Sequence, residues 1–319
     1  MLLLSLDDLA AFRDDVALGP GQKRPTVVVE HGAESPVDGL REVVAAILVG
    51  ARVWSLLPPE STAIVPAFYE TLREIVEEID GTSVDIACAR TVNELDKGAA
   101  AVGEDAAPVV CISTGSCESV LKPWCEDHAF RWIDASVGYS VGIIDGSEPD
   151  EVRHNLAEDT LLHEGAPQRS LRILWAPNEL TPDPVLQAMA DFRGVFPAHD
   201  STPGSLEMRR AFLEAADQSH AYAAGMQFLV SRGDPEPQDG AHLRWSEYDD
   251  LEDVAAWVTE HAEEIYAIAV RPSLADRLPE ALQAEALHEH GIQCIEPGHV
   301  HRRPLLTPRV RVLLDVLLD

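Results

Sequence analysis

Lysine is almost missing from this chain. Lys23, Lys97 and Lys122 are the three present, the other 21 basic residues are arginine, and 55 acidic residues oppose these 24, for a formal net charge of −31. Phosphate backbones and anionic membrane surfaces are bound through basic faces, which such a balance disfavours, so neither nucleic acid nor membrane is expected as a partner. A carboxylate-rich chain with so little lysine instead suits a high-salt interior, where self-repulsion is screened, and predicts a halophilic, cytoplasmic protein. Cysteine is also sparse. Cys88, Cys111, Cys117, Cys125 and Cys294 are odd in number and form no CxxC pair, which argues against a disulfide framework and for reduced thiols. Long apolar runs are lacking too. Residues 1–6 are apolar, but no basic residue precedes them and Asp7 and Asp8 follow, which predicts neither a signal peptide nor a membrane span.

Short β-branched runs alternate with helical stretches through the first half. Residues 26–30 (TVVVE), 52–57, 84–87 and 108–112 (PVVCI) read as strands, and 38–49, 63–79, 92–100 and 117–127 as helices. After the strand 131–134 (RWID), two strand pieces flank Gly138 and a long helix covers 148–162. Later strands are expected at 171–175, 226–230, 243–245, 265–270 and 292–295, with helices at 184–192, 205–217, 251–261 and 279–290. Residues 233–240 (GDPEPQDG) read as a surface loop. This order predicts an α/β fold, a doubly wound, mostly parallel sheet in two interleaved α/β domains. The domains are placed at 1–146 and 147–300, with a tail, 301–319, that crosses back. Ligands in such sheets sit at the carboxyl ends of strands.

Two strand-to-helix turns carry the most chemical information. In 55–62 (SLLPPEST), Pro58 forbids further ladder pairing, and Glu60, Ser61 or Thr62 suits a helix cap. In 111–119 (CISTGSCES), Ser113, Gly115 and Ser116 let backbone N–H groups and a hydroxyl approach a phosphate. Each turn alone is ordinary cap chemistry. Their order and spacing add more. The segment 45–60 (AAILVGARVWSLLPPE) with Thr62 resembles the small-residue helix, Gly, strand and KPxExT of the aldehyde dehydrogenase superfamily. STGS at 113–116 resembles its FTGS turn, 133–146 its ELGG segment and following strand, and 164–170 (EGAPQRS) its GQxC nucleophile loop. Near the C-terminus, 297–308 (PGHVHRRPLLTP) is similar to the closing region of bioluminescence-type fatty acyl-CoA reductases.

That resemblance implies an NAD(P)-dependent oxidoreductase acting on an acyl thioester or aldehyde, with Pro58, Glu60, Thr62, Ser113, Gly115 and Ser116 toward the cofactor. It also implies, by analogy, a homodimer binding a small-molecule substrate or nucleotide. The departures are specific. Leu57 replaces the adenosine-side lysine, Ala135, Ser136 and Val137 replace the general-base glutamate, and Pro167 or Gln168 stands where the nucleophilic cysteine belongs. Thioester chemistry needs a thiolate that attacks and leaves readily. His163 and Glu164, beside the vacant position, remain as candidate acid and base. Two further readings stand beside the reductase: a non-catalytic relative that binds or assembles, and a metal-binding protein using His288, His290, Cys294, His299 and His301.

Overall fold

The computed structural model describes residues 24–32, 38–59, 64–80, 85–102, 109–114, 119–134, 138–167, 169–283, 286–287, 291–302 and 308–318. They form two compact units, one of 1–136 with 304–319 and one of 137–303.

In the first unit, β1 (Thr26–Glu30), β2 (Arg52–Leu56), β3 (Ile86–Ala89), β4 (Val109–Ser113) and β5 (Arg131–Asp134) make one sheet in the order β3-β2-β1-β4-β5. All four pairings are parallel, with Val28 of β1 in register with Trp54 on one side and Cys111 on the other. Parallel strands are covered on both faces, which is why β1 is a continuous valine run rather than an alternating one. Val27, Val29, Val53, Val110 and Ile112 enter one apolar cluster, while Val28, Trp54, Leu56 and Cys111 enter another. The crossovers are α1 (Leu40–Leu48), α2 (Ile64–Asp80), α3 (Val92–Val102) and α4 (Leu121–Asp127). The last helix, α10 (Pro308–Leu318), returns to this unit: Val310 and Leu314 pack on Ala45 and Val49, beside α1.

The second unit carries β6 (Tyr139–Ile143), β7 (Leu171–Pro177), β8 (His220–Tyr222), β9 (Leu229–Arg232), β10 (His242–Tyr248), β11 (Ile265–Ala269) and β12 (Gln293–Ile295) in the order β12-β11-β6-β7-β10-β9-β8. Only β8 runs antiparallel to its neighbour. On one face α5 (Asp150–Leu161), α6 (Asp183–Val195) and α7 (Thr202–Ala215) contribute Leu156, Met189 and Leu206 to a core with Leu174, Leu243 and Trp245. On the other, α8 (Leu251–Glu260) and α9 (Pro272–Ala275) supply Val254, Val258 and Leu274 against Val141, Ile143 and Ile268.

The doubly wound, mostly parallel α/β architecture is therefore present, two local expectations change, and two short elements are added. β6 is paired between β7 and β11, so it lies in the second unit, ahead of the boundary expected at residue 146. Residues 279–290 are not one helix. A 3-10 turn covers Glu280–Leu282 and Gln283 is extended, which breaks the helical ladder. The short β8 and α9 have too few residues to show a period, and the sequence reading passed over both.

Gly138 lies where a Cβ would stand 1.7 Å from the Glu264 carbonyl oxygen, whereas a Cβ at Gly194 meets nothing within 4 Å. Gly138→Ala is expected to cost about 3 kcal/mol through this backbone overlap, and Gly194→Ala to add about 0.5 kcal/mol by stiffening the unfolded chain. Denaturant melts of the two variants check the pair.

Candidate functional site

Strand order reverses between β1 and β4, and the carboxyl ends of β1, β2 and β4 gather a polar cluster there. At the end of β1, the Glu30 carbonyl accepts from the Thr114 backbone N–H and hydroxyl, both at 3.0 Å. The Glu30 carboxylate accepts from the Val120 N–H at 3.0 Å and from the Ser119 hydroxyl, so an acidic side chain occupies the entry to α4. Anions are favoured near helix starts. Ser113, the last residue of β4, is buried and stands in register with Glu30. The Pro58 carbonyl, just past β2, accepts from the Arg90 guanidinium at 3.0 Å. Leu57 is buried in the apolar cluster beneath. Glu60, Thr62, Gly115 and Ser116 lie outside the described residues.

Behind this edge is a triangle that sequence reasoning missed. The His31 Nδ1–H donates to the Asp38 carbonyl at 2.6 Å, which leaves Nε2 as an acceptor. The Tyr69 and Ser55 hydroxyls both face that Nε2, at 2.9 and 3.2 Å, and are hydrogen-bonded to each other at 2.8 Å. All three side chains are buried, and burial pushes His31 down to about 4 and Tyr69 upward. Gly39, at φ 87°, lets the chain lie against the imidazole, since a Cβ there would be 2.7 Å from Nδ1. The three residues are far apart in sequence, so no local motif announces them.

In the second unit, His163 and Glu164 sit in a 3-10 turn, Leu162–Gly165, with φ of 55° and 60°. Two consecutive non-glycine residues in the left-handed region store backbone strain. Three hydrogen bonds hold the half-buried Glu164 carboxylate: Arg193 donates through Nη1 at 2.9 Å and Nη2 at 3.2 Å, and the Thr202 hydroxyl donates at 2.6 Å. Arg193 is buried, so this fork also satisfies an otherwise costly cation. The His163 ring stands edge-on to His301, with centroids 6.0 Å apart. The Pro167 carbonyl accepts from Arg172 at 3.2 Å and from the Ser170 N–H at 2.9 Å, while Gln168 lies outside the described residues.

Cys294 is half-buried on β12, and His299 is exposed in a turn. The His301 Nε2–H donates to the Asp159 carbonyl at 3.1 Å. His288 and His290 lie outside the described residues, among which no three His, Cys, Asp or Glu side chains group as a metal set. Asp159 itself was not foreseen: it is buried on α5 and accepts from the Gly298 and Val300 N–H groups at 2.6 and 3.2 Å, fixing the 297–301 loop. Burial raises its carboxyl to about 8. Burial likewise raises the thiols of Cys88, Cys111, Cys125 and Cys294, so none of these is an activated nucleophile.

Two opposed pH effects follow. His31 has its folded value depressed, so its contribution is present above pH 6.5 and is lost as pH falls toward 4, about 3 kcal/mol in all. Asp159 has its folded value raised, so stability is lost as pH climbs from the ordinary carboxyl value toward 8. Melts across pH 4–9 are expected to show the acid limb weakened in His31→Gln and the alkaline limb flattened in Asp159→Asn. Glu164→Gln, which leaves Arg193 without its charged partner, is expected to cost about 2 kcal/mol in the same melts.

No family model matches the chain, and no curated protein matches it. Solved structures do. An indole-3-acetaldehyde dehydrogenase of P. syringae, in complex with NAD+ and IAA, superposes with a TM-score of 0.59 at 13% identity, over 88% of this chain and 63% of that one. A putative aldehyde dehydrogenase from Burkholderia cenocepacia gives 0.62 at 10% identity, over 91% and 69%. A Rhodopseudomonas palustris propionaldehyde dehydrogenase, with bound CoA and an acylated cysteine, gives 0.58 at 9%, over 87% and 67%. The chain thus spans about two thirds of the length of these proteins, and at such identities the likeness is one of fold: two α/β units built as in the aldehyde dehydrogenases.

Proposed function

We propose that the chain is a cysteine-independent relative of the acyl-CoA reductases, an oxidoreductase whose first unit takes NAD(P) and whose second takes an acyl thioester or aldehyde. The observation that carries this reading is the reversal of strand order between β1 and β4, where open parallel sheets hold nucleotides, within a fold shared with aldehyde dehydrogenases over most of the chain. At that crevice the described residues suit part of a dinucleotide. The carboxylate of Glu30 and the hydroxyls of Thr114 and Ser119 match ribose hydroxyls in kind, whereas the charge of Glu30 opposes a diphosphate. When bound, the nicotinamide supplies or accepts a hydride.

Thioester formation has no nucleophile to begin from. No cysteine lies between Cys125 and Cys294, and the described thiols are all pushed upward. His163, on the strained turn, is the candidate proton carrier, because Glu164 is engaged by Arg193 and Thr202. The same engagement favours a second reading, a non-catalytic binding or assembly protein: with Glu30 and Glu164 both satisfied internally, the fold stands without chemistry. A homodimer and a salt-rich cytoplasm remain part of the proposal, the latter from the charge of −31.

The test is a titration with NADH and NADPH in molar potassium chloride, followed by tryptophan quenching and then by turnover with acyl-CoA and aldehyde. Saturable binding, tightened in Glu30→Gln, is expected, and any turnover should survive replacement of all five cysteines by serine. Absence of binding up to millimolar nucleotide would overturn the cofactor assignment and leave the binding-protein reading. Loss of turnover on changing a single cysteine would overturn the cysteine-independent route.

A further inference from the structure

Strand β10 is two-sided. Leu243 and Trp245 point into an apolar core with Val230 and Leu174, while His242, Arg244 and Ser246 alternate onto the other face. Arg244 is only 3% exposed and stands in register with Ile173 of β7 and Ser231 of β9. Among the described residues, its Nε and Nη1 have no hydrogen-bond acceptor. Its ionic partner is Glu236 of the exposed 233–240 loop, and that contact is long, 3.7 Å from Nη2 to Oε2. A buried guanidinium with unanswered N–H groups is costly unless an oxygen acceptor meets it.

Its neighbours are of the same kind. His242 is 2% exposed, joined through Nε2 to the Ser231 hydroxyl at 2.8 Å, with no partner on Nδ1 among the described residues. Gly233 lets the chain lie close against Arg244. A Cβ there would stand 3.1 Å from the Arg244 Nη1 and 2.6 Å from the Gln218 Nε2, so two donors meet at a position only glycine leaves clear. Arg209, which also faces Asp239 at 3.7 Å, adds positive charge near His242 in a chain whose overall charge is −31. Asp234 and Glu236 supply the opposing carboxylates nearest Arg244.

We propose that Arg244, with Gln218 and His242 beside it, binds a small oxyanion, a carboxylate or a phosphate group, which takes the place of the Glu236 carboxylate. The planar fork of arginine suits either group, offering parallel N–H donors to two oxygens. Glu236, itself well exposed, is the internal competitor that covers the site when the ligand is away. The site needs neither nucleotide nor turnover, so it stands apart from the oxidoreductase reading.

The experiment titrates the full chain with potassium acetate and, separately, potassium phosphate, against potassium chloride at matched ionic strength. It reads calorimetric binding and the thermal midpoint. One of the two oxyanions is expected to saturate and raise the midpoint, and which one does so names the ligand class. Arg244→Gln should weaken that binding at least tenfold, and Glu236→Gln should tighten it several-fold by removing the competitor. Because Arg244→Gln alters a buried side chain, Glu236→Gln carries the test on its own if the first variant does not fold. No saturable response beyond chloride from either anion, or unchanged affinity in Glu236→Gln, would overturn the proposal.

Discussion

The guanidinium of Arg172 ties together the part of the second unit where a nucleophile loop would lie. It is buried on β7, and it donates to the carbonyls of Ala166 and Pro167 at 3.3 and 3.2 Å and to that of Gly240 at 3.5 Å. Burial lowers its pKa, with the Asp239 charge acting against that. Two loops distant in sequence, 162–167 and 233–240, thereby share one cation. Their backbones also touch: a Cβ on Gly165, at φ 60°, would stand 2.3 Å from the Gly240 carbonyl oxygen. A residue with a side chain at 165 would push the loops apart and pull their carbonyls off Arg172. The strained pair His163 and Glu164 sits at the head of this assembly, so its geometry depends on the same contacts.

Scarcity of cations makes such placements matter. With 24 basic residues against 55 acidic ones, cations are far outnumbered, and the buried and half-buried arginines each meet particular partners. Arg193 answers Glu164, Arg271 answers Asp145 at 2.7 Å, and Arg172 answers carbonyls. Against its burial, hydrogen bonds from Ser147 and then the Arg271 contact hold Asp145 down at about 2. Buried or half-buried pairs of this kind are screened far less by salt than surface pairs are. They therefore keep their worth at ionic strengths where the long-range repulsion of a highly acidic surface has faded.

The sheet was legible in the sequence for a physical reason. Strands buried on both faces must be apolar throughout, and TVVVE, RVWSL and VVCIS announce themselves without any partner being known. The helices between them, buried on one face only, show a 3.6-residue period. The polar sites were less legible because their members are joined by the fold alone. His31, Ser55 and Tyr69 come from three elements, and Asp159 meets Gly298 and Val300 across 139 and 141 positions. Glu164 was visible as a candidate, but the fork from Arg193 that engages it came from a helix with no mark of that role.

That difference bears on what the second unit does with its strained turn. Left-handed backbone at a non-glycine residue persists where its surroundings over-determine it, and such sites cluster where chemistry occurs. Here the surroundings are identifiable. The Arg193 fork and the Thr202 hydroxyl hold the Glu164 side chain, and Arg172 holds the carbonyls that follow the turn. None of these contacts requires a thiol, a substrate or a cofactor. A turn kept in this form by side chains alone stands without any bound molecule. The strain at His163 and Glu164 is thus compatible with acid–base chemistry and with a purely structural role. What separates the two is whether His163 exchanges a proton with a bound molecule, since Glu164 already has its hydrogen-bonding capacity directed inward.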